Sequence, residues 1–157
     1  MSEGPVPTLF EWIGGMPTIE RLFSVFYSKV PSDPVLAPLF AEIPPDHAQH
    51  VSAFVAEVFG GPKAYSERLG GHPHMIQRHL GRRLTEAQRT RWMQLLLQCA
   101  DEIGVPSDPE FRSALVGYLE WGTRIAVLTS HSTATDGGDS PMPKWGWGET
   151  QGPFVQS

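Results

Sequence analysis

Two glycine pairs, Gly60-Gly61 and Gly70-Gly71, interrupt a run that would otherwise read as one helix, leaving the stretch from Gly70 to His79 as a short helix between joints. Pro73 marks the expected start of that helix. On it His72, Met75, Ile76 and His79 fall at i, i+3, i+4 and i+7, which is a single face. An imidazole and an apolar thioether are therefore aimed at one partner. Spacing alone favours a core histidine whose hydrogen bonds are satisfied. A flat, apolar, metal-centred cofactor is the other reading.

The flanking segments carry a helical period throughout, and no stretch alternates as a strand would. Thr8 is placed to cap a short helix containing Leu9, Phe10, Trp12 and Ile13, stopped by Gly14-Gly15. Thr18 is expected to cap the next helix, in which Ile19, Leu22, Phe23, Phe26 and Val30 form a stripe with Tyr27 at its edge. Pro31, Pro34 and Pro38 then break the chain into turns that carry Leu36, Leu39 and Phe40. Pro44-Pro45-Asp46 opens a helix bearing His47, Val51, Phe54, Val55 and Val58, with His50 read as solvent-facing. Thr85 to Gln88 has the form of a capping box ahead of Trp92, Leu95, Leu96, Cys99 and Ile103. Asp108-Pro109-Glu110 opens the last helix, whose broad face carries Phe111, Leu115, Tyr118, Leu119, Gly122, Ile125 and Ala126. The fold class is all-α.

A length of 157 residues suits one domain with an appendage, and the scattered Lys and Arg residues in a chain of net charge −5 argue against nucleic-acid or anionic membrane partners. The single cysteine, Cys99, excludes an intramolecular disulfide and a cysteine-based zinc cluster. With no basic leader and no apolar run of spanning length, the expected location is the cytoplasm. Residues 1–130 read as the domain, and residues 131–157 as a Ser, Gly, Pro and Trp-rich extension expected to pack on its surface, since Trp145 and Trp147 need cover.

Several of these features occur together in one family. Gly14-Gly15 after the first helix, Phe26-Tyr27 in the second, Phe40 at the short turn and Phe59-Gly60-Gly61-Pro62 ahead of Tyr65-Ser66-Glu67 form the first half of the pattern. Gly71-His72-Pro73, Arg78-His79 and Trp92, thirteen residues after His79, complete it. In this order and spacing the chain resembles a group II truncated haemoglobin over about residues 8–130. The resemblance implies a two-on-two helical sandwich around haem b.

It also implies a site. His79 would ligate the haem iron, with the Met75 carbonyl fixing its tautomer and the Met75 side chain packing near the same face. Arg78 is a candidate for a haem propionate, with an ordinary exposed arginine as the other reading, and Tyr65 is a second propionate candidate. On the opposite side Tyr27 and Trp92 would donate hydrogen bonds to a ligand that has drawn electron density from iron, Phe40 would pack on the haem plane and Val51 would add bulk beside the ligand. His47 departs from the family pattern, where that position is usually small. It can act as a swinging gate, a third donor or a direct iron ligand, and the gate is favoured because Tyr27 and Trp92 already fill the donor role.

The function implied is reversible binding of dioxygen and other diatomic ligands such as NO and CO, with slow dioxygen release. Nitric oxide dioxygenase or peroxidase activity would need an external reductase, because the chain has no Gly-x-Gly-x-x-Gly fingerprint for a flavin or nicotinamide. A non-haem metal protein built on His72-x-His74 and His47-x-x-His50 is the alternative from another class. A helical module docking through Trp145 and Trp147 is a third.

Overall fold

The computed structural model describes residues 5–41, 43–132 and 141–153, apart from the side chains of His72 and Gln77. Helix α1 (Leu9–Ile13) is held at its start by a capping box in which the Thr8 hydroxyl accepts from the Glu11 amide while the Glu11 carboxylate accepts from the Thr8 amide. It ends at Gly14, whose φ of 114° only glycine adopts readily. The chain then enters α2 (Gly15–Lys29) at once. Thr18 is therefore not a cap but a residue of the first turn, and its hydroxyl donates back to the Gly14 carbonyl. The sequence reading misplaces this boundary because two consecutive left-handed glycines turn the backbone without using a spacer.

After a 3-10 turn at Val30–Ser32, the Asp33 carboxylate accepts from the Val35 and Leu36 amides at 3.0 and 3.1 Å and from the Arg91 guanidinium. Burial opposes its charge, yet Arg91 and the two amides hold its pKa below the ordinary carboxylate range. This ties the proline-rich turn bearing Phe40 to the middle of the chain. There follow α3 (His47–Val58), α4 (Ala64–Arg68), α5 (Gly71–His79), α6 (Glu86–Ile103) and α7 (Pro109–Ser130). The Thr85 to Gln88 capping box and the Asp108 cap stand where the sequence puts them. Helix α5 begins two residues before Pro73, and α4 is a single short element that no sequence stripe announces.

Helix α2 packs on α3 and α6, α6 packs on α7, and α5 reaches from α4 to α7. The two helix pairs make the two-on-two arrangement, with Ile19, Leu22, Phe23 and Phe26 of α2 meeting Phe54 and Val58 of α3, Leu96 and Cys99 of α6 and Phe111 and Leu115 of α7 in one buried core. Each such large side chain contributes about 1.5–3 kcal/mol relative to exposure. Arg89, 9% exposed, links α6 to α7 through Glu120 and is also paired with Glu86. No strand occurs among the described residues, and no helix among them is long and apolar enough to cross a membrane.

Residues 141–153 run back along the outside. The Trp145 amide donates to the Val58 carbonyl at 2.9 Å, and the Trp147 indole donates to the Pro7 carbonyl at 2.7 Å. The Trp145 ring lies against Tyr118, while Trp147 meets Trp12 and Phe111 edge-on. Each indole thus covers apolar surface, and Trp147 also satisfies its polar edge.

Candidate ligand-binding cleft

Between α3, α5, α6 and α7 lies a cleft with an empty volume of about 1560 Å³, its open mouth included. One wall is α5. Gly70 and Gly71 both have positive φ, at 93° and 67°, and a Cβ at Gly70 would sit 2.9 Å from that of His74, so glycine there lets the helix start close against the preceding turn. Glu57 holds α4 in place by accepting from the amide and hydroxyl of Ser66. Helix α5 then presents Met75, Ile76 and His79 to the cleft.

The Nδ1 of His79 lies 2.8 Å from the Met75 carbonyl. A carbonyl only accepts, so Nδ1 carries the proton and Nε2 the lone pair, which is the tautomer a metal ligand needs. Arg78 and Arg82 stand at the rim of the same cleft. Tyr65 is almost fully buried, its ring edge-on to Phe54 with centroids 5.0 Å apart and 6.1 Å from His74, and burial pushes its hydroxyl up to about 12.

The facing wall is assembled from three helices and one turn. Tyr27 comes from the last turns of α2, Phe40 from the proline-rich turn, His47 and Val51 from α3, and Trp92 from α6. Their rings interlock: Tyr27 is edge-on to Phe26, Phe40 and His47 at 4.8, 5.5 and 5.0 Å, and Phe26 meets Trp92 at 5.4 Å. The Tyr27 hydroxyl lies 3.0 Å from His47 Nε2. Burial raises the pKa of that hydroxyl, and the Trp92 side chain works in the opposite direction as a hydrogen-bonding neighbour. An indole nitrogen can only donate, so towards Trp92 the tyrosine oxygen accepts, and its own proton is left to donate to His47.

For that donation His47 must be neutral. Burial, followed by the nearby guanidinium charges of Arg78 and Arg82, lowers its pKa to about 4. His50, one turn on, is 39% exposed and pairs with Asp46 at 3.2 Å. The two histidines of α3 therefore have different partners. Among the described residues no group of three or more His, Cys, Asp or Glu side chains is arranged to hold a metal ion. The His72 side chain, one of the four imidazoles invoked for a non-haem metal, lies outside the described residues.

The chemistry of the lining fits haem. Val51, Phe54, Met75, Leu119, Ile125 and Ala126 supply apolar walls for a flat macrocycle, Arg78 and Arg82 supply cations at a rim, and His79 supplies one imidazole with its lone pair on Nε2. The nine residues that the resemblance implies for the site all line this one cleft. Sequence reasoning did not anticipate the Tyr27–His47 hydrogen bond, nor that Tyr118 and Trp121 also face the cleft. The available signal for Tyr118 was Gly122 one turn later on the same face, where a Cβ would lie 3.5 Å from the phenol ring.

A family model described as bacterial-like globin matches residues 8–121. A group 2 truncated haemoglobin of Bacillus subtilis (strain 168) is 31% identical over 113 residues, which is 72% of this chain and 83% of the relative. Among solved structures, the group II truncated haemoglobin from Bacillus anthracis superposes with a TM-score of 0.70 at 30% identity, covering 88% of this chain and 100% of that one. The truncated oxygen-avid haemoglobin from Bacillus subtilis superposes with a TM-score of 0.68 at 30% identity, covering 77% and 99%.

Proposed function

Because the chain belongs to the bacterial-like globin family and to its group 2 truncated haemoglobins, with haem as the cofactor, we propose that it holds dioxygen tightly at a haem anchored by His79 and admits it past a His47 gate. When bound, haem would supply an iron able to bind a diatomic ligand, and His79, with its lone pair on Nε2, would hold it. The observation that carries the reading is the pair of donors, Tyr27 O–H and Trp92 N–H, on the wall facing His79 across an apolar cleft.

Tyr27 donates its proton to His47, and this hydrogen bond holds the imidazole against the cleft. A ligand entering the cleft competes for the same proton. As Tyr27 turns to donate to it, His47 loses its partner and is released towards the mouth. Trp92, partly buried and hydrogen-bonded to the Tyr27 oxygen, is the second donor that a ligand draws on. Two donors on a partly negative ligand slow its departure, which is the behaviour implied by the description of the Bacillus subtilis neighbour as oxygen-avid.

Arg78 would hold one haem propionate at the rim, and Tyr65, next to α5, would be a weaker second contact. Consumption of nitric oxide or of peroxide is the finer activity this pocket supports, with an external reductase supplying electrons. The test is stopped-flow release of dioxygen from the ferrous protein. Slow release that becomes fast in Tyr27→Phe and Trp92→Phe supports the account, and fast release already in the wild type removes it. A ferrous low-spin spectrum that disappears in His47→Ala would instead make His47 an iron ligand and not a gate.

A further inference from the structure

Of the chain's three tyrosines, Tyr27 and Tyr65 belong to the two walls already described, whereas Tyr118 has no part in either. It is 6% exposed, lines the cleft from α7, and none of the described hydrogen bonds uses its hydroxyl. Trp121, one turn along, lines the same cleft and is nevertheless 39% exposed. Trp145 of the C-terminal segment packs on both. Ring centroids are 5.7 Å apart for Tyr118 and Trp145, 5.8 Å for Trp121 and Trp145, and 6.4 Å for Tyr118 and Trp121.

Tyrosine and tryptophan are the aromatic side chains most readily oxidised by one electron, and rings in near contact exchange electrons quickly. The other aromatic neighbour of Tyr118 given by ring contact is Phe59, at 5.5 Å, which is much harder to oxidise. The three rings therefore make a route with one end in the cleft and the other at the surface. Trp12 and Trp147 form a second cluster, but Trp147 continues inward to Phe111, which offers no comparable step.

We propose that Tyr118, Trp121 and Trp145 form an electron path by which phenolic donors too large to enter the cleft reduce hydrogen peroxide from the outer face of α7. This rests on the haem-binding reading above. Hydrogen peroxide is the oxidant: its O–O bond breaks, and with two electrons and two protons it leaves as two waters. The electrons leave the ring triad one at a time. When Tyr118 gives up an electron its phenolic proton departs into the cleft, and it takes a proton back when re-reduced. Each electron is replaced at Trp121 by a phenol, which loses one electron and one proton and becomes a phenoxyl radical, two for each peroxide.

Two probes test this on the full chain loaded with haem: hydrogen peroxide with a nitroso spin trap and no donor, and hydrogen peroxide with a phenol tethered to polyethylene glycol. Trap adducts mapped by mass spectrometry are expected on Trp121 and Trp145. Trp121→Phe should lose its adduct and the turnover of the tethered phenol while keeping the wild-type Soret band, and Trp121→Tyr, which is again oxidisable, should restore that turnover. Adducts confined to Tyr27 and Trp92, or unchanged oxidation of the tethered phenol in Trp121→Phe, would overturn the path. A wild-type chain that takes up no hemin overturns the haem reading along with it, whereas one that shows a Soret band but yields no adduct at the triad overturns the path alone.

Discussion

The wall that carries His79 and the wall that carries Tyr27, His47 and Trp92 face one cleft but hold their side chains by different means. The His79 side is constrained locally, by a short helix, the hydrogen bond of His79 to a carbonyl four residues earlier, and glycines that fix where the helix begins. On the other side the contacts that bring the wall together are distant in sequence. Tyr27 meets His47 across twenty residues of chain, and Phe26 brings Trp92 alongside from a helix much later in the sequence. A wall of the first kind presents one atom in one protonation state. A wall built of the second kind has a proton that can be spent on either of two acceptors, and the lining on that side can move while the anchor stays still.

Variants can break this division. Among those that keep the haem, the largest effect is expected from Tyr27→Phe combined with Trp92→Phe. Each hydrogen bond to a charged group is worth about 1.5–3 kcal/mol, so each single change should speed dioxygen release by roughly ten- to a hundredfold, read by stopped-flow absorbance. An unchanged release rate would mean that the facing wall holds nothing. His47→Ala comes next. Loss of an ordinary hydrogen bond of about 0.5–1.5 kcal/mol predicts association of CO faster by roughly two- to tenfold, with little change in its release. Slower association would show that His47 helps ligands in rather than keeping them out.

A pH dependence sharpens the same contrast. Folding holds His47 neutral down to about 4, whereas in the unfolded chain it takes up a proton near the ordinary histidine value of 6.5. Between those values the unfolded state binds more protons, so this contribution to stability is intact above pH 6.5 and is lost as the pH falls towards 4. Urea unfolding of the haem-free protein should show it, and His47→Phe should flatten that part of the curve. The smallest effect belongs to the rim. Arg78→Ala removes a partly exposed cation of the kind worth about 0.2–1 kcal/mol, so haem transfer to an acceptor globin should quicken by no more than about fivefold.

What the sequence discloses follows the same boundary between local and distant. Thr8, Thr85 and Asp108 announce helix starts because a cap needs only the next three residues, and Met75 and His79 are legible as partners because one turn joins them. Thr18 misleads because its chemistry is that of a cap while Gly14 and Gly15 have already turned the chain. The Tyr27 to His47 hydrogen bond is invisible in the sequence, since three prolines and the pairing of buried Asp33 with Arg91 determine where α3 returns to α2. The same holds for Trp147, whose acceptor, the Pro7 carbonyl, lies 140 residues away. The assignment of the family came from the order of several individually weak signals, and the geometry of the facing wall came only from the fold.

The account stands or falls on His79, and titration of the haem-free protein with hemin tests it directly. Wild type should develop a Soret band at one equivalent and, once reduced, bind CO with a spectrum typical of a histidine-anchored haem. His79→Gly should lose that spectrum and regain it when free imidazole is added, because the cavity left by the side chain accepts the missing ligand. A His79→Gly protein that binds hemin and CO as the wild type does, without imidazole, would contradict the claim and transfer the anchor to another residue.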